Sequence, residues 1–388
     1  MNQRNLMKNL IRTVVALLIL LATLLAVLFV IDMQKPQDGE VQIIPSAQPT
    51  PQPTPLVQTA NLLMGGDALL HGAVYTDARD EEGNYDFTEM MSSLQRVTPQ
   101  YELKYYNQET ILGGTELGLS TYPRFNSPQE FGDAMVGLGF NLVSLANNHT
   151  LDRGEEAVLA SLDYWQQQPV MTAGSYRSAQ QKEEVQIGEV NGITYTLLSY
   201  TYGTNGIPVP QGKEYLVNVY TEQMLREDIS RAREQVDVLI VAMHWGTEYT
   251  FEPTQQQRQT AQLLAELGVD IIIGSHPHVV QPIDWIDDTL VVYSLGNLIS
   301  AQDGIEKRVG LLAGVTITKT TLEGESVVTL SDVRADLVFT HYDSGYRNFK
   351  LKFFDEIQEN ELDDIWGVYA EYGKIVTSGS AEVDLGGL

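Results

Sequence analysis

The stretch "VDIIIGSHPHVV", Val269–Val280, decides the reading of this chain. Its first half is a run of β-branched residues, too short for a helix and closed by a glycine, so it reads as a buried strand. Its second half sets His276 and His278 on either side of Pro277, in a chain with six histidines in 388 residues. Proline biases the residue before it toward extended backbone, and alternation about Pro277 then points the two rings in different directions.

Working outward, "NLLMGG" (Asn61–Gly66), "NLVSLA" (Asn141–Ala146), "VLIVAM" (Val238–Met243) and "TLVVYSLG" (Thr289–Gly296) have the same strand character. His71 follows the first, His149 the second and His244 the third. Five of the six histidines therefore sit just past a predicted strand end. In open α/β sheets ligands bind at the carboxyl ends of the strands, so these side chains are expected to converge.

Helices are predicted between the strands. Ser127-Pro128-Gln129-Glu130 has the form of a capping box with proline at the first helical position. Glu155 and Glu156 follow Gly154 where a helix dipole favours negative charge, with Val158, Leu159, Leu162 and Trp165 on one face. Thr254 with Gln257 caps another helix, whose stripe includes Ala261, Leu264 and Leu267. The alternation gives an α/β class with at least partly parallel strands. From about Thr340 the text turns irregular and acidic; "FFDEIQENELDDIWGVY" suggests a terminal helix or cover, and fraying is expected after Ser378.

Composition limits the partners. A formal net charge of -27 argues against nucleic-acid binding, which draws its affinity from lysine and arginine. The chain has no cysteine, which removes disulfides and thiolate metal sites together. Arg4, Lys8 and Arg12 precede an apolar stretch from Val14 to Ile31, close to the roughly 20 residues a bilayer-spanning helix needs. With no small-residue cleavage site after it, residues 1–33 read as an uncleaved anchor with the rest outside. Residues 34–58, rich in proline and glutamine, read as an extended spacer. The expected domains are then 59–340 and an acidic extension, 341–388.

The histidines come with oxygen donors of metal-binding type: Asp67 in "GGDALLH", Glu109 in "YYNQET" and Asn148 in "ANNH". A lone histidine near a core is more often hydrogen-bonded structure than a ligand. Five at equivalent topological points shift that balance. Imidazole and carboxylate without thiolate suit manganese, zinc or iron better than calcium. Roughly seven candidate ligands exceed what one tetrahedral ion takes, so two divalent ions bridged by a carboxylate fit better. Hydrolysis of a phosphoester is the default chemistry for such a pair.

The motifs "GGDALLH", "NQET", "FNSP", "SLANNHTLDRG", "AMHWGTEY", "GSHPHVVQP" and "VVYSLGNLIS" occur in one order over about Asn61 to Ser300. Together they resemble the CapA capsule-synthesis family, associated with poly-γ-glutamate and placed in the calcineurin-like metallophosphatase superfamily. The resemblance implies a metallophosphatase-like layered α/β domain, a sheet core flanked by helices, behind a single N-terminal transmembrane helix. It implies that Asp67 and His71 bind a first metal, although His71 lies four residues after Asp67 where the superfamily usually spaces two. Glu109 would bridge, where most relatives use aspartate, and Asn107 would support the turn. Asn148, His244 and His276 would hold the second metal and His278 the first. His149 would donate a proton to the leaving oxygen or orient the phosphoryl group. Asp152 would orient His149 or cap the next helix.

Arg153, Glu248 and Asn297 are lesser candidates for the pocket, Trp245 and Tyr249 read as packing, and His341 lies outside every motif. Two functions remain open at this stage. One is an extracytoplasmic, membrane-anchored protein of capsule or poly-γ-glutamate synthesis or export, working with polymer synthase or export subunits through hydrolase chemistry. The other is a metallophosphoesterase acting on an envelope or nucleotide phosphoester.

Overall fold

The computed structural model describes residues 3–32 and 54–388. The chain falls into two compact units, residues 1–57 with 320–327, and residues 58–319 with 328–388. In the first, a helix spans Gln3–Asp32, but side chains at 3–13, 16, 31 and 32 lie outside the described residues. Among the described residues no helix is long and apolar enough to cross a membrane. The anchor expected over 1–33 thus falls partly outside the described residues, as does most of the expected spacer.

The second unit carries most of the strand residues. Four come first: β1 (Leu56–Leu69), β2 (Leu103–Gln108), β3 (Leu142–Ser144) and β4 (Met171–Ala173). Six follow: β5 (Gly188–Val190), β6 (Ile193–Thr201), β7 (Val238–His244), β8 (Ile271–Ser275), β9 (Ile283–Ile286) and β10 (Thr289–Val292). The last are β11 (Asn297–Ser300), β12 (Val309–Leu322), β13 (Glu325–His341), β14 (Lys350–Phe353) and β15 (Asp384–Leu385). The first four and last five build one sheet in the order β14-β13-β12-β1-β2-β3-β4, with β11 on β1 and β15 on β13. The middle six build a second sheet, β5-β6-β7-β8-β10-β9. Strands β1 to β4 run parallel, and so do β6, β7, β8 and β10.

Side-chain alternation sets the layers. Leu62, Met64, Tyr105 and Leu142 of the larger sheet share one core with Ile240, Ala242, Ile271, Ile273, Leu290 and Val292 of the smaller. The residues between them point the other way. Leu63, Tyr106 and Val143 pack with Phe131, Met135, Val158, Leu162 and Trp165 of the helices Glu130–Gly137 and Gly154–Trp165. Leu239, Val241 and Ile272 pack with Leu225, Ile229, Ala261 and Leu264 of the helices Glu222–Arg233 and Gln255–Glu266. Two sheets packed face to face, each covered outside by helices, give the expected α/β class with a helix-flanked sheet core.

Several local expectations meet the structure differently. The Thr254–Gln257 capping box forms in both directions, and Glu155 and Glu156 occupy the first turn of their helix. Ser127 does not cap: its hydroxyl donates to Thr110 Oγ1 at 2.9 Å, and the helix begins at Glu130 without a side-chain cap. β1 begins at Leu56. Residues beyond Ser378 are not frayed. β15 pairs with β13, and Ser380 N donates to Asp284 Oδ1 at 2.8 Å. The acidic tail also supplies β14, which pairs antiparallel with β13.

Two glycines bring the strand ends close enough to share a site. A Cβ on Gly66 would lie 2.0 Å from Gly296 O, where Asp67 N donates to that same oxygen at 2.9 Å. A Cβ on Gly274 would lie 1.9 Å from Tyr293 O and 2.7 Å from Trp245 Nε1, a pair that is itself hydrogen-bonded at 3.0 Å. Gly274→Ala must therefore spread β8 from its neighbours. The expected loss is about 1–3 kcal/mol, measured as a lower urea midpoint at unchanged slope. A midpoint equal to wild type would show that the close approach is not needed.

Candidate metal centre

The parallel strands of both sheets end on one edge, and the candidate residues meet there. Asp67 lies near the end of β1, in register with Asn107 of β2 and Asn297 of β11. Glu109 follows β2, His244 ends β7, and His276 and His278 follow β8. Three groups of side chains place ligand atoms within 4.8 Å of one another: Glu109 with His244 and His276, Asp67 with Glu109 and His278, and Glu248 with His276 and His278. Glu109 belongs to two of them, at the position a bridging carboxylate would take.

Asp67, His278 and His244 are each held by a second partner. Asp67 accepts from Asn107 Nδ2 at 2.8 Å and from His276 N at 3.1 Å. Asn107 Oδ1 accepts from Ser144 Oγ at 2.7 Å, and Ser144 Oγ lies 2.8 Å from Tyr105 OH. A chain of polar side chains thus runs across β1, β2 and β3 to fix one carboxylate. Asn297 Oδ1 stands 3.0 Å from His278 Nδ1, which turns Nε2 toward Glu109 Oε1 at 3.6 Å. Asn148 Oδ1 is 2.9 Å from His244 Nε2, whose Nδ1 is 2.9 Å from Ser275 Oγ. Partners of this kind orient metal-binding imidazoles and tune their basicity.

Glu109 is fully buried, and neither of its carboxylate oxygens has a hydrogen-bond partner. His276 Nδ1 is buried and unpartnered as well. Unsatisfied buried acceptors of this sort are rare because desolvation is costly, and a cation between them removes the cost. The acidic and histidine residues clustered here could hold a metal ion. Their nitrogen and oxygen atoms suit the divalent ions expected from the sequence.

Electrostatics agree with that reading. Burial pushes the Glu109 carboxyl well above the usual range, with His278 pulling it back. Burial and neighbouring imidazoles hold His244 well below its ordinary value and His276 down at about 3, so both rings are neutral and free to coordinate. His278 goes the other way: burial lowers it, but Glu109 and Asp67 outweigh burial and raise it to about 9. The neighbouring carboxylates thus favour positive charge at His278.

His71 belongs to none of these groups. Its Nδ1 is 3.1 Å from Leu69 O, and Phe125 stands edge-on between it and His149, with ring centroids 5.3 Å and 4.8 Å away. His149 Nδ1 is 2.7 Å from Asp152 Oδ2, and that oxygen also accepts from Phe125 N at 2.7 Å. This contact matches the orienting role for Asp152, while Arg153, not Asp152, occupies the N-cap position. Arg153 donates to Gly118 O, Ser120 Oγ and Leu117 O.

The backbone around Pro277 also departs from expectation. His276 and His278 have φ of 94° and 57°, left-handed rather than extended. The bond from His276 N to Asp67 is what such a turn makes possible. The two rings fall in separate groups with Glu109 and together in the group with Glu248.

Sequence reasoning missed the residues behind β6. Tyr202 packs against His276 at 4.7 Å between centroids, and Asn205 Oδ1 accepts from Asn148 Nδ2 at 3.2 Å. A signal exists, since Thr201 pairs with His244 in the sheet. It is faint because the strand "ITYTLLSYT" carries threonine and tyrosine where the other strands carry aliphatics.

Residues 61–302 match the family model described as "Bacterial capsule synthesis protein PGA_cap". The chain belongs to this family. It is 32% identical over 173 residues to a protein of Bacillus subtilis (strain 168) named "PGA biosynthesis protein CapA", covering 42% of this chain and 44% of that one. It is 26% identical over 181 residues to the "Capsule biosynthesis protein CapA" of Bacillus anthracis, covering 46% and 44%. The chain thus spans less than half the length of these curated relatives. A solved structure of a hypothetical protein from Thermus thermophilus aligns with TM-score 0.43 and 16% identity over 70% of this chain and 98% of its own.

Metal uptake must expel the proton on His278. Because that group is protonated below about 9, affinity for Zn²⁺ or Mn²⁺ is expected to climb between about pH 6.5 and 9 and then level off. Calorimetry at about pH 7.5 in two buffers of different ionisation enthalpy should show proton release. Uptake with no release would remove His278 from the ligand set.

Proposed function

We propose that this PGA_cap protein is a membrane-anchored, extracytoplasmic hydrolase with two divalent metal ions, acting in the synthesis or export of a capsule or poly-γ-glutamate polymer. The observation that carries the chemistry is Glu109, buried and unpartnered between the imidazoles of His244 and His276 on one side and Asp67 and His278 on the other. The residues fit a pair of ions sharing that carboxylate, with Asp67 and His278 toward one and Asn148, His244 and His276 toward the other. Such a pair, when bound, supplies Lewis acidity and activates water at neutral pH.

The chain's own residues supply the rest. Asp152 fixes the Nδ1 side of His149, which leaves Nε2 as the atom that gives a proton to a leaving oxygen. Phe125 holds the dyad from both sides, donating its backbone N–H to Asp152 and presenting its ring edge-on to His149. Tyr105, Ser144 and Asn107 keep Asp67 aimed at the seam.

The polymer role rests on family membership and on the names of the relatives. The apolar run from Val14 to Ile31 supports the anchor, and polymer synthase or export subunits are the partners this placement implies. The dyad beside the metal groups equally suits a phosphoesterase unrelated to any capsule, acting on an envelope or nucleotide phosphoester.

Metal analysis of the purified protein should find about two transition ions per chain, with hydrolysis of a chromogenic phosphoester. His149→Ala should keep the metals and lose roughly 10²–10⁴-fold in kcat, whereas Glu109→Ala should lose metal and activity together. Undiminished hydrolysis in both would sink the catalytic reading. Restoring polymer to a deletion strain with Glu109→Ala would separate the polymer role from the site.

A further inference from the structure

The third group, Glu248 with His276 and His278, shares both histidines with the other two groups and approaches them from the solvent side. Glu248 is exposed while both rings are buried. We infer that Glu248 is a displaceable metal ligand: it closes the outer face of the centre when no substrate is bound and yields its place to an entering phosphoryl or carboxylate anion. This rests on the two-metal reading above and adds the residue that governs entry.

Three observations support it. The loop that carries Glu248 is clipped along the segment that carries the histidines. Trp245 N donates to Ser275 O at 3.1 Å, and Tyr249 N to Pro277 O at 2.8 Å. Tyr249 has φ of 60°, a left-handed conformation that a tyrosine adopts only when its surroundings impose it. Three contacts reach the half-exposed ring. Gln302 Nε2 donates to its hydroxyl at 3.2 Å, Lys307 Nζ stands 5.0 Å over its face, and His278 lies 6.1 Å away. A turn held this firmly positions its neighbour Glu248 against the histidines.

The second observation is His276 Nδ1, buried and without a partner. Its ring is wedged between His244 at 4.8 Å and Tyr202 at 4.7 Å, so a donor atom with no protein partner faces a centre that Glu248 also reaches. The third is contrast within the ligand set. Asp67 and Glu109 are fully buried, and Asp67 is tied by two hydrogen bonds. Glu248 alone of the three carboxylates is open to solvent and able to swing away without burying or stranding a charge.

The test uses the full-length protein with Glu248→Gln and Glu248→Asp. Glutamine removes the charge; aspartate keeps it but shortens the reach. Metal affinity by competition with a chelator, the d–d spectrum of the Co²⁺-loaded protein, and affinity for inorganic phosphate are measured for each. Both variants should bind the weaker ion roughly 10–100-fold less tightly and show an altered Co²⁺ spectrum. Both should bind phosphate more tightly than wild type once loaded, because no ligand has to leave. Tighter phosphate in Glu248→Gln but not Glu248→Asp would mean simple charge repulsion and overturn the displacement. Unchanged metal affinity and spectrum in both variants would overturn ligation. Failure of the wild type to bind metal would instead reject the two-metal reading itself, which keeps the two failures apart.

Discussion

Glu109 sits where the strand ends of the two sheets meet, fully buried, with no hydrogen bond to either oxygen. An isolated carboxylate in that position would cost several kcal/mol of desolvation, so its environment has to answer its charge. Among the described residues its carboxyl faces two histidines, His244 at 3.7 Å and His278 at 3.6 Å. Those come from the smaller sheet, whereas Glu109 comes from the larger. The seam between sheets is thus joined at one edge by electrostatics, while Leu62, Ile240, Ile271 and their neighbours join it elsewhere by apolar contact. Proteins keep a buried charge of this kind where a cation completes it, and the site and the sheet packing are then one feature.

That dependence explains which parts of the centre were legible in the sequence. Strands such as Val238–His244 and Ile271–Ser275 are buried on both faces, so they read as unbroken apolar runs, and whatever follows them lands on the ligand edge. The rule placed Asp67, His149, His244, His276 and His278 correctly at strand ends, and Asn148 with them. It also placed His71 there. The rule knows only the edge, however, and not which way a side chain turns. His71 belongs to none of the metal groups: its Nδ1 lies 3.1 Å from Leu69 O and its ring packs edge-on against Phe125, which no spacing within "GGDALLH" encodes. Tyr202 and Asn205 were hidden for the opposite reason: their strand mixes threonine and tyrosine with leucine, which disguises a buried strand as an ordinary amphipathic one. Ser127 shows a third limit, because its hydroxyl prefers a tertiary partner, Thr110, over the local cap that its spacing offers.

The His-Pro-His turn shows how strain is spent at such a place. Residues other than glycine with φ in this left-handed region cost about 1–3 kcal/mol each, yet His276, His278 and Tyr249 all adopt it within one small region. Each is tied by a bond that the strained conformation makes possible: His276 N to Asp67, Tyr249 N to Pro277 O, His278 Nδ1 to Asn297. Proline between the histidines removes one backbone donor and limits the alternatives. The outcome is that two rings two residues apart both reach Glu109, each within its own group, while the His276 amide turns onto Asp67.

Charge then sets how the centre can meet a substrate. The chain carries a net charge of -27, and an anion approaching it in solution meets repulsion before it meets a site. The arginine of the "NNHTLDRG" motif, Arg153, spends its donors on the loop at Leu117 to Ser120. Lys307 is paired with Glu306 at 3.1 Å and lies over Tyr249. On the proposed two-metal reading, attraction for a phosphoryl or carboxylate group comes from bound cations rather than from these two side chains. On that reading anion binding and metal loading are linked: whatever loosens the ions also removes the field that would draw an anion in, and a domain so acidic would meet an anionic polymer where bound cations neutralise its carboxylates.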